Sequence, residues 1–241
     1  MLNMTQTPNR FAGWFYELIL VGCVALVSDA NAEVLEVQQD TWDWPRAMQS
    51  VTRRFAGSHG MVVPLGDSNT YANPAGRWAR MGVGRTEAEQ AICRWMNSHA
   101  DGPHNGWWLA ADDQPAGRSW TAASGVTSAE FLAGGKGGLP SLQQILQAHE
   151  PQIVSILLGT NDLHAGVEVD QFLQNMETIL RTCTDAGTIP VVNTLPPTNW
   201  GSADRSLAYN RGLIDLARHL QLPLIDVYGE FLARRPAASW L

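Results

Sequence analysis

Basic residues are scarce in this 241-residue chain, and Lys136 is its only lysine. With 16 Lys and Arg against 23 Asp and Glu, the formal net charge is −7. A nucleic-acid-binding surface needs clustered cations that neutralise phosphates, and the nearest basic cluster, Arg234-Arg235, is two residues long. The composition therefore argues against a nucleic-acid partner.

Several cofactor signatures are also missing from the sequence. No spacing of His, Cys, Asp and Glu matches a metal site, and no dinucleotide fingerprint is present. The glycine-rich run at residues 134–138 lacks the spacing of a phosphate-binding loop. We therefore expect no cofactor and no metal.

Long hydrophobic runs are missing as well. The apolar run at residues 18–27 is half of the ~20 residues that a membrane-spanning helix needs. Arg10 precedes it, and Ala30-Asn31-Ala32 has the small-x-small form that signal peptidase cuts. We expect residues 1–32 to be a signal peptide cleaved after Ala32, which predicts a secreted or periplasmic protein without a stable membrane span.

Only three cysteines are present, and Cys23 would leave with the signal peptide. The other two, Cys93 and Cys183, could pair in an exported protein. Each falls on the apolar side of a predicted helix, which favours two separate buried thiols.

Short β-type runs alternate with helical patterns along the rest of the chain. This alternation predicts an α/β fold, a three-layer α/β/α sandwich around a parallel five-stranded sheet. The flavodoxin-like strand order 2-1-3-4-5 is the expected one. The predicted strands are residues 61–65, 119–123, 152–158, 188–194 and 222–227.

The helical patterns divide the chain further. A capping box at Thr86 predicts a helix to about Asn97, and apolar residues at helical spacing mark residues 170–184 and 205–220. Residues 33–58 form a helical lead-in to a single domain at residues 59–241. The stretch from Asn97 to Gly117 has little periodicity and is expected to be a long irregular excursion.

Three strand ends carry polar or small residues that suit acyl transfer. Ser68 follows the first strand in a tight turn that opens a helix, where a backbone N–H can stabilise an oxyanion; an ordinary helix N-cap is the alternative. Gly125, after the second strand, lets a backbone N–H approach a substrate closely. Asn161, after the third strand, offers a neutral amide donor, although an Asx turn would also explain it.

The predicted strand order brings these three turns together. Strands two and three flank strand one, so the turns with Gly125 and Asn161 converge on the turn with Ser68. Each signal alone is weak, but their combination predicts one site with a hydroxyl nucleophile and several hydrogen-bond donors.

The sequences GDSNT, SGVTSAEFL and LLGTND, in this order, resemble blocks I, II and III of the SGNH/GDSL hydrolases. The segment at residues 209–231 is similar to the one that leads to the family's last block. The resemblance implies ester hydrolysis through an acyl-serine, with Ser68 attacking. It also implies backbone oxyanion donors at Ser68 and Gly125 and a side-chain donor at Asn161.

One departure from the family pattern concerns the general base. The family's final block supplies an Asp-x-x-His after the fifth strand, and residues 228–241 contain neither an aspartate nor a histidine. A serine hydroxyl is a poor nucleophile without a base. His164 lies nearest the expected site, but a surface histidine at a helix start is its commoner explanation. We expect the domain to be truncated at its carboxyl end and this chain to be weakly active or inactive.

The sequence thus predicts an exported serine esterase of O-acyl, possibly O-acetyl carbohydrate, esters. A lipase, lysophospholipase or thioesterase activity of the same family is the alternative enzyme. A non-catalytic binding module of the same fold is the alternative from another class, because the Asp-His pair is missing. The sequence does not indicate an oligomeric state.

Overall fold

The computed structural model describes residues 35, 37, 41–71, 78–79, 81–99, 106–115, 117, 119–198 and 203–234. The segment expected to be a signal peptide, residues 1–32, lies outside the described residues. Within the described part, no helix is both long and apolar enough to cross a bilayer.

Four parallel strands form the sheet in the described residues: β1 (Ser58–Gly66), β2 (Pro151–Leu157), β3 (Ile189–Asn193) and β4 (Leu224–Ile225). Neighbours pair in the order β1-β2-β3-β4, and every pairing is parallel. Helices lie on both faces of the sheet. The α/β prediction is confirmed, and four of the five predicted strands overlap observed ones.

The second predicted strand, residues 119–123, is not confirmed. This segment pairs with β1 only through an isolated bridge between Ala122 and Gly66, and residues 106–109 form a second one between Trp108 and Val62. Pro64 explains the interruption, because it lies between these bridges and has no N–H to donate to this edge. Its carbonyl oxygen instead accepts a hydrogen bond from the Thr121 hydroxyl at 2.7 Å. The edge of β1 is thus covered by two separate segments.

The helices follow the apolar periodicity of the sequence. The capping box at Thr86 is confirmed, since its hydroxyl accepts from the Glu89 N–H and the Glu89 carboxylate accepts from the Thr86 N–H. In chain order, the helices are α1 (Trp44–Thr52), α2 (Ser68–Tyr71), α3 (Glu87–Met96), α4 (Ser128–Ala133), α5 (Leu142–His149), α6 (Thr160–Ala165), α7 (Val169–Asp185), α8 (Ala203–His219) and α9 (Val227–Arg234), with a short 3₁₀ turn at Lys136–Gly138.

One large hydrophobic cluster fills the space between the sheet and its helices. Phe172 of α7 and Tyr209 of α8 stack with ring centroids 4.4 Å apart, and both side chains are fully buried. The lead-in segment joins the same core, because the Trp42 indole N–H donates to the Leu222 carbonyl at 2.8 Å just before β4. The lead-in is therefore part of the packed domain.

The two described cysteines lie in different parts of the interior. Cys183 is fully buried in the main cluster, whereas Cys93 belongs to a small cluster with Ala79 and Met96. Both are free thiols, which confirms the expectation of two separate buried cysteines. Burial raises the pKa of the Cys183 thiol to about 12.

Candidate active site

Ser68 begins the four-residue helix α2, directly after β1 and a one-residue turn. The turn needs glycine at position 66, because a Cβ there would overlap the Thr70 hydroxyl oxygen and the Leu157 carbonyl oxygen of β2. The chain can therefore leave the sheet tightly packed against β2. This geometry presents the half-buried Ser68 at the carboxyl end of β1.

Asp67, not Ser68, caps this helix. Its carboxylate accepts a hydrogen bond from the Asn69 N–H at 2.9 Å, and its carbonyl accepts from the Thr70 N–H at 3.0 Å. This is the arrangement that an N-cap residue makes. Within the described residues the Ser68 hydroxyl makes no hydrogen bond, so the N-cap alternative considered for it does not hold.

The side-chain amide of Asn161 joins the three turns. Its Nδ2 donates to Oδ2 of Asp67 at 2.9 Å and to the carbonyl of Val126 at 3.1 Å. Because both partners are acceptors, the amide nitrogen must face them. Asn161 thus contacts the residue before Ser68 and the residue after Gly125, as the predicted convergence of the turns requires.

Gly125 lies in the turn that precedes α4, with φ of +70°. A residue with a side chain is strained in this left-handed conformation, which suits glycine. The next residue, Val126, is fully buried, and its carbonyl is the one bound by Asn161. The backbone at this turn is therefore held in place beside the Asn161 amide.

A second buried network fixes the turn that carries Asn161. The carboxylate of Asp162 accepts hydrogen bonds from the Ser128 N–H at 2.9 Å and from the Ser128 hydroxyl. The Ser128 hydroxyl also accepts from the Asn175 side chain at 3.0 Å. Asp162 and Ser128 are both fully buried, so this network ties α6, α4 and α7 together.

Two buried carboxylates dominate the electrostatics of the site. Burial, with the neighbouring Asp162 carboxylate adding to it, raises the pKa of Asp67 to about 6 against the lowering effect of the Asn69 hydrogen bonds. Burial also raises the pKa of Asp162, although its hydrogen bonds with Ser128 oppose the shift. In the part of the chain that is described, neither carboxylate has an ion-pair partner.

Sequence reasoning missed Asp67, Asp162 and Ser128. A usable signal existed for the two aspartates, since each is an acidic residue directly beside a candidate residue at the end of an apolar strand. Ser128 carried no such signal, because its partner lies 34 residues away.

The described histidines do not hydrogen-bond to Ser68. The ring of His149 contacts the Ser119 carbonyl at 3.1 Å, and the rings of His59 and His99 pack on Phe55 and Trp107. His164 is exposed on α6. His104 lies outside the described residues. The structure thus identifies no general base among the histidines that it describes.

No group of three or more His, Cys, Asp or Glu side chains in the described residues could hold a metal ion. The polar groups described around Ser68 are the Asn161 amide and the buried carboxylates of Asp67 and Asp162.

Several solved structures are similar to this chain at low sequence identity, and the one with a TM-score above 0.5 shares its fold. The lipase/acylhydrolase from Enterococcus faecalis matches with a TM-score of 0.52 and 16% identity, over 75% of this chain and 83% of that one. The psychrotrophic esterase EstA from Pseudoalteromonas sp. matches with a TM-score of 0.47 and 18% identity, over 69% and 76%. The SGNH-hydrolase family esterase AlinE4 matches with a TM-score of 0.47 and 19% identity, over 75% and 82%.

No curated protein matches the chain in sequence. A family model does, and it covers residues 64–241, which include Ser68, Gly125 and Asn161. The match spans most of the chain and contains every turn of the candidate site. The chain therefore belongs to the GDSL-like lipase/acylhydrolase family and is a carboxylic ester hydrolase by family.

Proposed function

We propose that this protein hydrolyses carboxylic esters through an acyl-enzyme intermediate on Ser68. The observation that carries the proposal is the Asn161 amide, which bridges the residue before Ser68 and the residue after Gly125. The capping role of Asp67 also supports it, because it leaves the Ser68 hydroxyl free of helix capping.

The proposed reaction has two covalent steps. In the first, Oγ of Ser68 bonds to the ester carbonyl carbon while a base takes the hydroxyl proton, and the C–O bond then breaks to release the alcohol with that proton. In the second, water bonds to the acyl carbon and gives up a proton to the base, the bond to the Ser68 oxygen breaks, that oxygen takes up the proton, and the acid leaves.

In both steps the carbonyl oxygen becomes an oxyanion. We assign its donors to the backbone N–H groups of Ser68 and Gly125 and to the side chain of Asn161. The Asn161 amide donates to Asp67 and Val126 without substrate. The oxyanion would replace the Val126 carbonyl, while the bond to Asp67 keeps the amide oriented.

The general base belongs to the final Asp-x-x-His block of the family pattern, which residues 228–241 do not contain. We therefore assign to this chain the nucleophile and the oxyanion donors, and we assign no base among residues 228–241. Oxyanion and binding contributions alone can leave about 10³-fold acceleration over water. Acylation by activated esters is thus the step that this chain can be expected to perform.

A non-catalytic binding module is the second candidate function, and the missing Asp-x-x-His is the observation that favours it. Reading the open frame past Leu241 separates the two. An Asp-x-x-His within the next few dozen codons favours the enzyme, and a stop codon favours the binding module.

For the substrate, we propose O-acyl groups, with acetyl esters of carbohydrates first and lipid esters or thioesters second. Pocket shape decides among these in one fold. A series of 4-nitrophenyl esters with increasing acyl length separates them, because a preference for acetyl supports the first and a preference for long chains supports the second.

We also propose that the protein is exported after cleavage at Ala32, on the basis of the amino-terminal sequence. Expression of the chain in a bacterium, followed by intact mass analysis of the secreted or periplasmic fraction, tests this. A mature amino terminus at Glu33 is expected, and an uncleaved cytoplasmic chain would contradict it.

The test of the mechanism measures acylation directly. The chain is treated with 4-nitrophenyl acetate or with an alkyl 4-nitrophenyl phosphonate, and the labelled peptide is identified by mass spectrometry. Both reagents transfer their acyl or phosphonyl group to the serine oxygen and release 4-nitrophenolate. We expect the label on Ser68 and none on Ser68→Ala. Ser124→Ala is the matched control, because Ser124 is an exposed serine beside Gly125. Equal labelling of Ser68→Ala would refute the assignment.

A further inference from the structure

The only lysine of the chain lies beside the turn that contains Gly125. Apart from its two chain neighbours, the described atoms within 4 Å of the position that a Gly125 Cβ would occupy belong to Lys136, with Cε at 3.8 Å and Nζ at 3.9 Å. Gly125 itself has no side chain to separate the ammonium from a substrate. A positive charge therefore borders one of the proposed oxyanion donors.

Glu130 holds this lysine in position. The Lys136 Nζ donates to Oε1 and Oε2 of Glu130 at 3.0 and 3.1 Å. Oε2 of Glu130 also accepts from the N–H and the hydroxyl of Thr127, both at 2.9 Å. The bond from the Thr127 N–H, together with the bond from the Glu130 N–H to the Thr127 hydroxyl oxygen, forms the capping box of α4. Although burial raises the pKa of Glu130, the hydrogen bonds with Thr127 and Lys136 outweigh it and lower the pKa. The glutamate is thus a charged anchor that fixes the ammonium next to the 125–127 turn.

The ammonium keeps one N–H for a further acceptor. An ammonium has three donors, and two of them are directed at the Glu130 carboxylate. The Lys136 side chain is 37% exposed, so the third donor is accessible to a ligand.

The charge of Lys136 contrasts with its surroundings. The chain is acidic overall, and the buried carboxylates Asp67 and Asp162 lie next to the proposed site. A net negative protein repels anionic ligands at long range. Attraction of an anion to this site must therefore come from a local cation, and Lys136 is placed to provide it.

We propose that Lys136 is a specificity-determining residue that selects esters carrying a negatively charged group near the scissile carbonyl. This inference rests on the proposed acylation of Ser68. The ammonium of Lys136 would bind the anionic group while the carbonyl oxygen faces the N–H of Gly125.

Two matched ester pairs test the selection. In the first, the charge is on the alcohol side: 4-acetoxybenzoate against its methyl ester. In the second, it is on the acyl side: the mono-4-nitrophenyl ester of adipic acid against methyl 4-nitrophenyl adipate. For each pair, the second-order rate constant for acylation of Ser68 is measured by intact mass, and the anionic-to-neutral ratio is the readout.

We expect Lys136→Met to lower this ratio about tenfold for at least one pair, which corresponds to about 1.4 kcal/mol. Lys136→Arg should keep the ratio within about twofold, because it retains a cation of similar reach. Raising the salt to 1 M should reduce the wild-type ratio, because the screening length falls to about 3 Å. Arg181→Met is the matched control, since it removes one cation from a surface ion pair with Glu177 on α7.

Acylation of Ser68 and binding of the two esters together show whether the role of Lys136 or the role of Ser68 is wrong. If Ser68 is acylated but neither ratio changes in Lys136→Met, the selection by Lys136 is overturned and the nucleophile stands. If Ser68 is not acylated, binding decides: Ser68→Ala should bind 4-acetoxybenzoate more tightly than its methyl ester in a ligand-detected NMR titration. Adding Lys136→Met should remove that difference, and an unchanged difference would refute the role of Lys136.

Discussion

Charged residues are exposed at the amino ends of the strands and buried at their carboxyl ends. At the amino ends of the strands, a groove of about 540 Å³ is lined by exposed charged side chains, among them Arg54, Glu150 and Asp185. At the carboxyl ends, Asp67 and Asp162 are buried and hydrogen-bonded to neutral groups.

This difference is energetic as well as geometric. An exposed charge keeps its hydration, whereas a buried carboxylate without a counter-ion is destabilised, as the raised pKa of Asp67 shows. Perturbed carboxyl groups of this kind cluster at functional sites. At the carboxyl ends of the strands, the buried carboxylates lower the stability of the fold while their hydrogen bonds hold the turns in fixed positions. At the amino ends, no such cost arises, because the charged side chains are exposed.

The largest effect on acylation of Ser68 should follow from replacing Asn161, at the carboxyl ends of the strands. We expect Asn161→Ala to slow acylation of Ser68 by about 10² to 10³-fold, because it removes an oxyanion donor. The control is Arg54→Gln at the amino end, where Arg54 donates to the Thr184 carbonyl at 2.9 Å. The two rates are measured with 4-nitrophenyl acetate under identical conditions. If the two substitutions slowed acylation equally, the carboxyl ends of the strands would have no special role in the reaction.

The cost of burying Asp67 should appear as a pH dependence of stability. A carboxyl with a pKa raised to about 6, against about 3.9 when unfolded, stabilises the native state below pH 4 and loses that contribution as the pH rises through 6. Between pH 4 and pH 8, the unfolding free energy of Asp67→Asn relative to wild type should therefore increase by about 2–3 kcal/mol. Urea denaturation at both pH values measures it. A difference that is the same at both pH values would contradict the buried, ionisable Asp67.

A smaller effect should follow from Ser128→Ala, which removes a hydroxyl that donates to Asp162 and accepts from Asn175. We expect a loss of about 2 kcal/mol in unfolding free energy, since the hydrogen bond involves a buried charge. Ser50→Ala is the matched control, because the exposed Ser50 hydroxyl bonds only to the Ala47 carbonyl in its own helix. A loss no larger than that of the control would show that Asp162 does not depend on Ser128.

The smallest effect belongs to the amino end. Glu150, the residue after α5, has a φ of 43°, in the left-handed region. Glycine adopts this conformation without steric cost, so Glu150→Gly should stabilise the fold by about 0.5 kcal/mol, measured by urea denaturation. Acylation of Ser68 should not change. A stability loss would show that the Glu150 side chain contributes more than its backbone strain costs.

The sequence predicted the parallel α/β fold and the three turns because these depend on local patterns. The apolar strand runs ending at Leu65 and Leu158 and the helix periodicity around Phe172 are visible in the chain itself. The sequence of residues 119–123 could not show that this segment fails to form a continuous strand. The pairing is interrupted by Pro64 in the neighbouring strand β1. The pattern of apolar residues within one segment gives no information about a backbone N–H that is missing from the strand with which it pairs.

The site was predictable at the level of its turns but not of its contacts. Sequence order and strand topology placed Ser68, Gly125 and Asn161 at one edge. The role of Asp67 as helix cap depends on the direction of its side chain, and the role of Ser128 as partner of Asp162 depends on a contact across 34 residues. These directions follow from packing, which a single sequence does not display.

The most direct test of the central claim is a crystal structure of the chain with Ser68 phosphonylated by an alkyl 4-nitrophenyl phosphonate. The phosphonyl oxygen occupies the place of the oxyanion. We predict that it lies about 2.7–3.1 Å from the backbone nitrogens of Ser68 and Gly125 and from Nδ2 of Asn161, with Asn161 still bonded to Asp67. A phosphonyl oxygen that faces solvent, with the Asn161 amide still bonded to the Val126 carbonyl, would contradict the account.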